Sequence, residues 1–343
     1  MGNKIKNFKN QLEQLQKKYE IPGLSFIILH DNKVLHTEGL GYADIDNEIP
    51  AKSSTQYRIA SLTKPISATI ILKLVELGKL SLDDRISDLY PDYKEKFQEY
   101  KDRFKRKKIT GVIENYYFER EDITIRHHLT HTSEGVPGEN YRYSGFLFGE
   151  LTKVVDNVIE EGFESLIKRE IIEKLKMEST ITCKQNEEYD QEPERLAVPY
   201  YTDDRGNITK SEYPLFDLNT AAGIISTVED LAKFDIALNK NQIISEQSKE
   251  LAFTPMISKT GITLPYGLGW FIQNSGPSNQ KILWHFGFCD NCISSLYIRI
   301  PNMELTMILL ANSDALCNFT GFADDEEVTR SPFAKAFLDA FIC

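Results

Sequence analysis

Tyr57-Arg58-Ile59-Ala60-Ser61-Leu62-Thr63-Lys64-Pro65 is the stretch on which the reading of this chain turns. Helical spacing begins at Ser61: Ile66, Ile70, Leu74 and Leu77 recur on one face, Pro65 falls in the tolerated first turn, and Gly78 takes the position just past the end. Ser61 and Lys64, three apart, therefore share a face. A serine hydroxyl is a poor nucleophile until a neighbouring base takes its proton, and an amine can do so when desolvation or nearby cations keep it neutral. Lys64 would then need a pKa well below the ordinary ~10.4. The helix N-terminus adds a donor, since the backbone N–H of Ser61 would point towards an oxyanion formed on attack. Taken alone, S-x-x-K is short, and a helix cap followed by a solvent-facing lysine satisfies it equally well.

Before this stretch, Ile5, Phe8, Leu12 and Leu15 mark an amphipathic helix ending near Ile21-Pro22-Gly23. Leu24 to Leu29 and Val34 to Tyr42, joined at Asp31-Asn32, read as an antiparallel hairpin. After it, Ser81-Leu82-Asp83-Asp84 resembles a capping box for a short segment. Lys94 to Asp122 is charged and aromatic without a clean period, which marks a candidate insertion. Helices are expected at Phe148 to Glu161, Phe163 to Leu175 and Val228 to Leu238, the last capped by Thr227. Strand-like runs follow at Tyr266 to Gln273, Lys281 to Phe286, Ser294 to Ile300 and Leu305 to Asn312, and Ser331-Pro332 opens a last helix. Strands at both ends around a helical middle predict an α+β fold: an antiparallel sheet formed by N- and C-terminal segments, flanked by helices, with an inserted mainly helical lobe. The expected organisation is one domain, 1–343, with an α/β lobe from 1–60 plus 220–343 and a helical lobe from 61–219.

Of the 343 residues, 40 are Lys or Arg and 51 Asp or Glu, a net charge of −11 that repels a phosphate backbone. Nucleic acid is therefore not an expected partner, and the basic run Lys101, Arg103, Lys105, Arg106, Lys107, Lys108 reads as a solvated face. The five cysteines are odd in number and irregularly spaced, which disfavours a disulfide framework. Cys289-Asp290-Asn291-Cys292 lacks the second ligand pair a structural zinc needs, and reads as two free thiols. No run of eighteen apolar residues is present, and Met1 to Lys6 lacks the apolar core of a secretory leader. A cytoplasmic location is the expectation, although a secreted chain whose leader had been removed would read the same.

Further motifs in the right order give Ser61 and Lys64 their context. Ile21-Pro22-Gly23-Leu24-Ser25, Gly39-Leu40-Gly41-Tyr42-Ala43-Asp44, Leu129-Thr130-His131-Thr132-Ser133, Ala222 to Leu231 and Tyr266-Gly267-Leu268-Gly269-Trp270 accompany the S-x-x-K. In these the chain resembles, over nearly its whole length, the serine beta-lactamase and penicillin-binding-protein superfamily, in its class C-like and esterase-like branch.

The resemblance implies a set of roles. Tyr143-Ser144-Gly145 occupies the place of the family's Y-x-N, so Tyr143 would relay protons between Ser61, Lys64 and the leaving group. Gly145 replaces the asparagine and has no amide for a substrate carbonyl. His285-Phe286-Gly287 corresponds to the third motif in its H-x-G form. Gly287 would let substrate lie close to the strand, and Phe288 would give the second oxyanion N–H. His285 is either a carboxylate or carbonyl contact or a strand histidine with satisfied hydrogen bonds. His127, His128 and the L-T-H-T-S histidine, His131, read as structural, with no metal and no cofactor. Glu134 departs from the family's glycine and implies a reshaped loop before Tyr143.

The expected function is a serine hydrolase acting through a covalent acyl-enzyme on a small-molecule ester, amide or peptide substrate. A beta-lactamase or D,D-carboxypeptidase is the alternative within the same chemistry. A catalytically silent protein that binds a peptide or cell-wall fragment is the alternative of another class.

Overall fold

The computed structural model describes residues 1–95, 98, 122–183, 195–203, 205–214, 217–317 and 327–342. The basic run from Lys101 to Lys108, nearly all of the candidate insertion Lys94 to Asp122, and Cys343 lie outside the described residues.

The chain opens with helix α1 (Gly2–Lys18) and the hairpin β1 (Gly23–His30) and β2 (Lys33–Asp44), followed by short strands β3 (Ile49–Pro50) and β4 (Tyr57–Arg58). A helical region follows: α2 (Thr63–Glu76), α3 (Ile86–Leu89), α4 (Ile125–Leu129), α5 (Gly145–Val158) and α6 (Gly162–Ile167). Short strands β5 (Ile181–Thr182), β6 (Tyr200–Thr202), β7 (Ile208–Lys210) and β8 (Ile224–Ser226) lead to α7 (Val228–Asn239) and α8 (Glu246–Ala252). Strands β9 (Phe271–Ser275), β10 (Gln280–Cys289), β11 (Ile293–Ile300) and β12 (Leu305–Ala311) form the meander, and α9 (Pro332–Ile342) ends the chain.

Among the described residues the main sheet has seven strands in the order β3-β2-β1-β12-β11-β10-β9. Its β1–β12 pairing joins the two ends of the chain antiparallel, with Leu24 opposite Ala311 and His30 opposite Leu305. The fold is thus the α+β class expected, with N- and C-terminal strands sharing one sheet. Alternation along β1 explains its two covered faces: Leu24, Phe26 and Ile28 meet Phe8 and Leu12 of α1 and Phe333 and Phe337 of α9. Ile27 and Leu29 belong instead to the core around α2 and α7.

Helix α2 is buried nearly all round, so its apolar pattern extends beyond one stripe. It ends as Gly78 predicts: Gly78 has φ +66°, its N–H donates to Val75, and Lys79 N–H donates to Leu74, which satisfies two terminal carbonyls. Leu77, however, is exposed.

Several boundaries differ from expectation. Asp84 accepts from Ser81 N–H at 2.6 Å, but as a turn; the helix starts only at Ile86. Helix α5 starts three residues before Phe148, because the Ser144 hydroxyl accepts from Leu147 N–H and caps it. The stretch expected to run helically to Leu175 is α6 followed by a π-helical turn, Lys168–Glu173. The strand expected from Tyr266 begins only at Phe271, since Gly269 turns at φ +83° to let the chain pass Ala68 and the Lys64 carbonyl of α2.

Candidate active site

Ser61 does not sit in α2 itself. It lies in a 3-10 turn, Ala60–Leu62, that feeds directly into α2, and Ala60 is held there at φ +45°. A non-glycine residue in the left-handed region costs on the order of 1–3 kcal/mol, and surrounding contacts must enforce it. Here the carbonyl of Ile59 accepts from Leu62 N–H at 3.1 Å and from the Ser295 hydroxyl at 3.0 Å, while Ile59 N–H donates to Ile224. Strands β8 and β11 therefore anchor the turn from two sides.

Lys64, one turn further on, is completely buried. Its Nζ is 2.7 Å from Ser61 Oγ and donates to the Ala221 carbonyl at 3.3 Å. That carbonyl is presented by a tight loop in which Asn219 Oδ1 accepts from the amides of Ala221 and Ala222. Two aromatic faces complete the enclosure, with Nζ 4.9 Å from the ring centre of Tyr143 and 5.6 Å from that of Phe148. Burial lowers the Lys64 pKa to about 7, so near neutral pH a large share of the amine is unprotonated beside the Ser61 hydroxyl.

Tyr143 stands just before the Ser144 cap of α5. Its hydroxyl is buried without a hydrogen bond of full geometry. Burial pushes its pKa up, and Ser61, the polar side chain it faces, pulls the other way. The ring packs against Phe271 and Phe286, both stacked on it at under 6 Å, and lies 4.4 Å from the ring of His131. Gly145 follows immediately; a Cβ there would have Lys64 Nζ 3.7 Å away as its one near neighbour.

His131 was read from sequence as structural, and the structure gives that role a definite address. Its Nδ1 accepts from Ser144 N–H at 3.1 Å, so the proton is on Nε2, which is buried and has no partner. The residue thus fixes the backbone beside Tyr143 as well as its ring. Burial, with the charge of Lys64, holds its pKa well below the usual imidazole value. Sequence could have signalled this only through the spacing from L-T-H-T-S to Tyr143. The loop between them is clamped by Arg142 Nε on Glu134 Oε2 at 3.2 Å, which gives the residue at the departed glycine position a partner. His128 lies between Tyr93 and Ser133, and His127 accepts from Thr124 N–H, so both are engaged locally. Among the described residues no group of three or more His, Cys, Asp or Glu is arranged to hold a metal.

Strand β10 supplies the remaining wall. It pairs with β9 only from Gln280 to Trp284 and with β11 from Leu283 to Cys289. Among the described residues no strand covers the outer edge of 285–289. Gly287 is where the sheet meets the nucleophile turn: a Cβ would fall 2.2 Å from the Ile59 carbonyl oxygen. The close approach made by this glycine is therefore to the chain itself, where substrate had been expected. His285 takes the second of its two readings. It is fully buried, Nδ1 donates to the Phe286 carbonyl at 2.8 Å, and Nε2 accepts from the Tyr266 hydroxyl at 2.7 Å. No ring nitrogen is left for a substrate contact. Tyr266, missed as a site residue from sequence, is what occupies it. Phe288 is 37% exposed, its side chain outside the core.

A model of the Beta-lactamase family matches residues 8–320. The chain belongs to the beta-lactamase family. Among curated relatives, Protein flp of Staphylococcus aureus (strain MW2) is 28% identical over 320 residues, covering 88% of this chain and 61% of that protein. The chain therefore spans about three fifths of that relative's length. Among solved structures, the octameric penicillin-binding protein homologue from Pyrococcus abyssi superposes with a TM-score of 0.73 at 23% identity, covering 90% of this chain and 73% of that one. EstCE1, a hydrolase with promiscuous acyltransferase activity, gives a TM-score of 0.72 at 16% identity, with 97% and 98% covered. At these identities the structural likeness establishes the fold, and both penicillin-binding and esterase-type proteins of the family share it. Among the described residues no helix is long and apolar enough to cross a membrane.

Proposed function

We propose that this family member is a serine hydrolase that turns over small esters, or small amides or peptides, through an acyl-enzyme on Ser61. The observation that carries the reading is the 2.7 Å contact between Ser61 Oγ and a fully buried Lys64 whose pKa burial has brought to about 7. Neutral Lys64 takes the Ser61 proton as Oγ attacks the substrate carbonyl, and the backbone N–H groups of Ser61 and Phe288 receive the developing oxyanion. Tyr143 faces Ser61 and passes a proton to the leaving group; water then attacks the acyl carbonyl and frees Ser61. His285 acts at a distance, by keeping Tyr266 and the Phe286 carbonyl in place.

Esters rank above beta-lactams because Gly145 supplies no side-chain amide next to Lys64. Intact-mass spectrometry after brief exposure to p-nitrophenyl acetate, and separately to benzylpenicillin, tests the reading. Wild type is expected to gain an acetyl group and release it with turnover, without a penicilloyl adduct, and Ser61→Ala to do neither. Full esterase activity in Ser61→Ala refutes the assignment. A stable penicilloyl adduct would place the protein with the penicillin-reactive members, and no adduct with either reagent would make it a binding protein.

A further inference from the structure

Cys289 and Cys292 close the β10–β11 turn, beyond the residues that the hydrolase reading uses. Cys292 N–H donates to the Cys289 carbonyl at 3.1 Å, with Asn291 between them at φ +55°. They are therefore the first and last residues of a β-turn, whose ends lie within about 7 Å of each other, compatible with the span of a disulfide. Both are free thiols. Their surroundings differ: Cys289 is partly open to solvent, whereas Cys292 is 1% exposed and packs with Ala60 and Ile293. The Arg58 guanidinium lies 4.4 Å over the ring of Tyr213, which borders the same cluster, and its charge reaches both thiols.

These neighbours divide the two roles of a thiol pair. The neighbouring Cys292 thiol, with Arg58, holds the Cys289 pKa below its ordinary value against burial and the carboxylates of Asp290 and Asp314, while Cys292 Sγ lies 3.9 Å from the Glu212 carbonyl. Cys289 and burial push Cys292 up. A partly open sulfur at one end of the turn and a buried one at the other is the arrangement of an attacking and a resolving thiol.

We propose that Cys289 and Cys292 form a redox modification site at which a small hydroperoxide closes a disulfide across the turn. The Cys289 thiolate attacks one peroxide oxygen, the O–O bond breaks, and Cys289 becomes a sulfenic acid while hydroxide leaves and is protonated to water. The Cys292 sulfur then attacks the Cys289 sulfur, the S–O bond breaks, and a second water leaves with the Cys292 proton. Two thiols and one hydrogen peroxide give one disulfide and two waters; the two electrons pass from the sulfurs to the peroxide. The bond forms next to Phe288, one proposed oxyanion donor, and against Ala60, the neighbour of the other, Ser61.

Limited hydrogen peroxide treatment of the whole chain, then iodoacetamide and trypsin, tests this without any substrate. Residues 282–299 form one tryptic peptide that carries both cysteines. The peptide is expected to lose two hydrogens and escape alkylation at both sulfurs, about tenfold faster than the buried Cys183 and Cys317 are oxidised, and dithiothreitol is expected to reverse this. In Cys292→Ala, Cys289 is expected to stop at the sulfenic acid and be trapped by dimedone. A peptide that stays fully alkylatable while Cys183 or Cys317 oxidises overturns the proposal. So does a Cys289 that oxidises in wild type while Cys292 still takes iodoacetamide.

Discussion

Replacing Lys64 with methionine should change how stability depends on pH, by an amount the burial of the amine sets. The Lys64 pKa falls from 10.5 when exposed to about 7 in the fold. Between those values the unfolded chain holds a proton that the folded protein does not, so the Lys64 contribution to stability rises with pH across the window and is most unfavourable below it. At about 1.4 kcal/mol per pH unit, the full penalty is about 5 kcal/mol below the folded pKa, and roughly 4 kcal/mol of it acts at pH 7. Raising the pH from 7 to 9 relieves about 2 kcal/mol of it. Methionine fills a similar volume and cannot titrate, so Lys64→Met lacks this component. It also loses the contacts to Ser61 Oγ and the Ala221 carbonyl, at about 1 kcal/mol each, but that loss is the same at both pH values. Urea denaturation of both proteins at pH 7 and 9 isolates the effect, because every other titrating group is common to the two. Wild type should gain about 2 kcal/mol on the variant over that interval, and its kcat/KM for an ester should rise through an apparent pKa near 7. Identical pH dependence of stability in the two proteins would refute a neutral, buried amine.

Three further substitutions probe the surroundings. Tyr143→Phe keeps the ring packed on Phe271 and Phe286 but removes the hydroxyl that faces Ser61, and steady-state kinetics should show kcat down about 10²-fold or more with little change in thermal midpoint. Gly287→Ala places a Cβ 2.2 Å from the Ile59 carbonyl oxygen and 2.3 Å from Ser295 Oγ, so denaturation should report a loss of roughly 1–3 kcal/mol and esterase assays a lower kcat as the Ser61 turn is displaced. Gly145→Asn meets open space beside Lys64 Nζ; fluorescent-penicillin labelling relative to ester turnover should rise about tenfold, the worth of one good hydrogen bond at about 1.4 kcal/mol, and an unchanged ratio would remove Gly145 as the discriminating residue.

What sequence could and could not reveal follows from the range of each interaction. Helix α2 and its Gly78 stop were legible because they rest on local periodicity and turn chemistry, and the sharing of one sheet by N- and C-terminal strands because strands at both ends of a helical middle have few other ways to be covered. The Ser61 and Lys64 pair was legible because three-residue spacing, which the 3-10 turn leading into α2 preserves, stood among the further motifs that gave it context. His285 was not, because its role is decided by Tyr266, nineteen residues away in sequence and 2.7 Å away in space. Gly287 shows a related limit. A glycine in a strand announces a close approach without naming what approaches, and here it is the carbonyl of Ile59, from the far end of the chain.

That last contact ties the fold to the chemistry. Ala60 adopts a backbone conformation that its side chain disfavours, and Ser61 owes its position to it. Nothing local enforces φ +45° there: no glycine, no proline, no side-chain cap. The constraint comes from the sheet, through Ser295 on the Ile59 carbonyl, Ile224 on the Ile59 amide, and Cys292 and Ile293 packed on Ala60. Ser295, Cys292 and Ile293 come from the C-terminal third of the chain, and Ile224 from just before it. The nucleophile turn, 3-10 rather than α-helical, is therefore completed only when β8 and β11 have docked, and the Ala221 loop that leads into β8 helps to bury Lys64, which lowers its pKa. A cut or deletion that leaves α2 intact but frees β10 and β11 should abolish hydrolysis by releasing Ile59 and Ala60 from Ser295, Cys292 and Ile293, so that Ser61 loses its place beside Lys64.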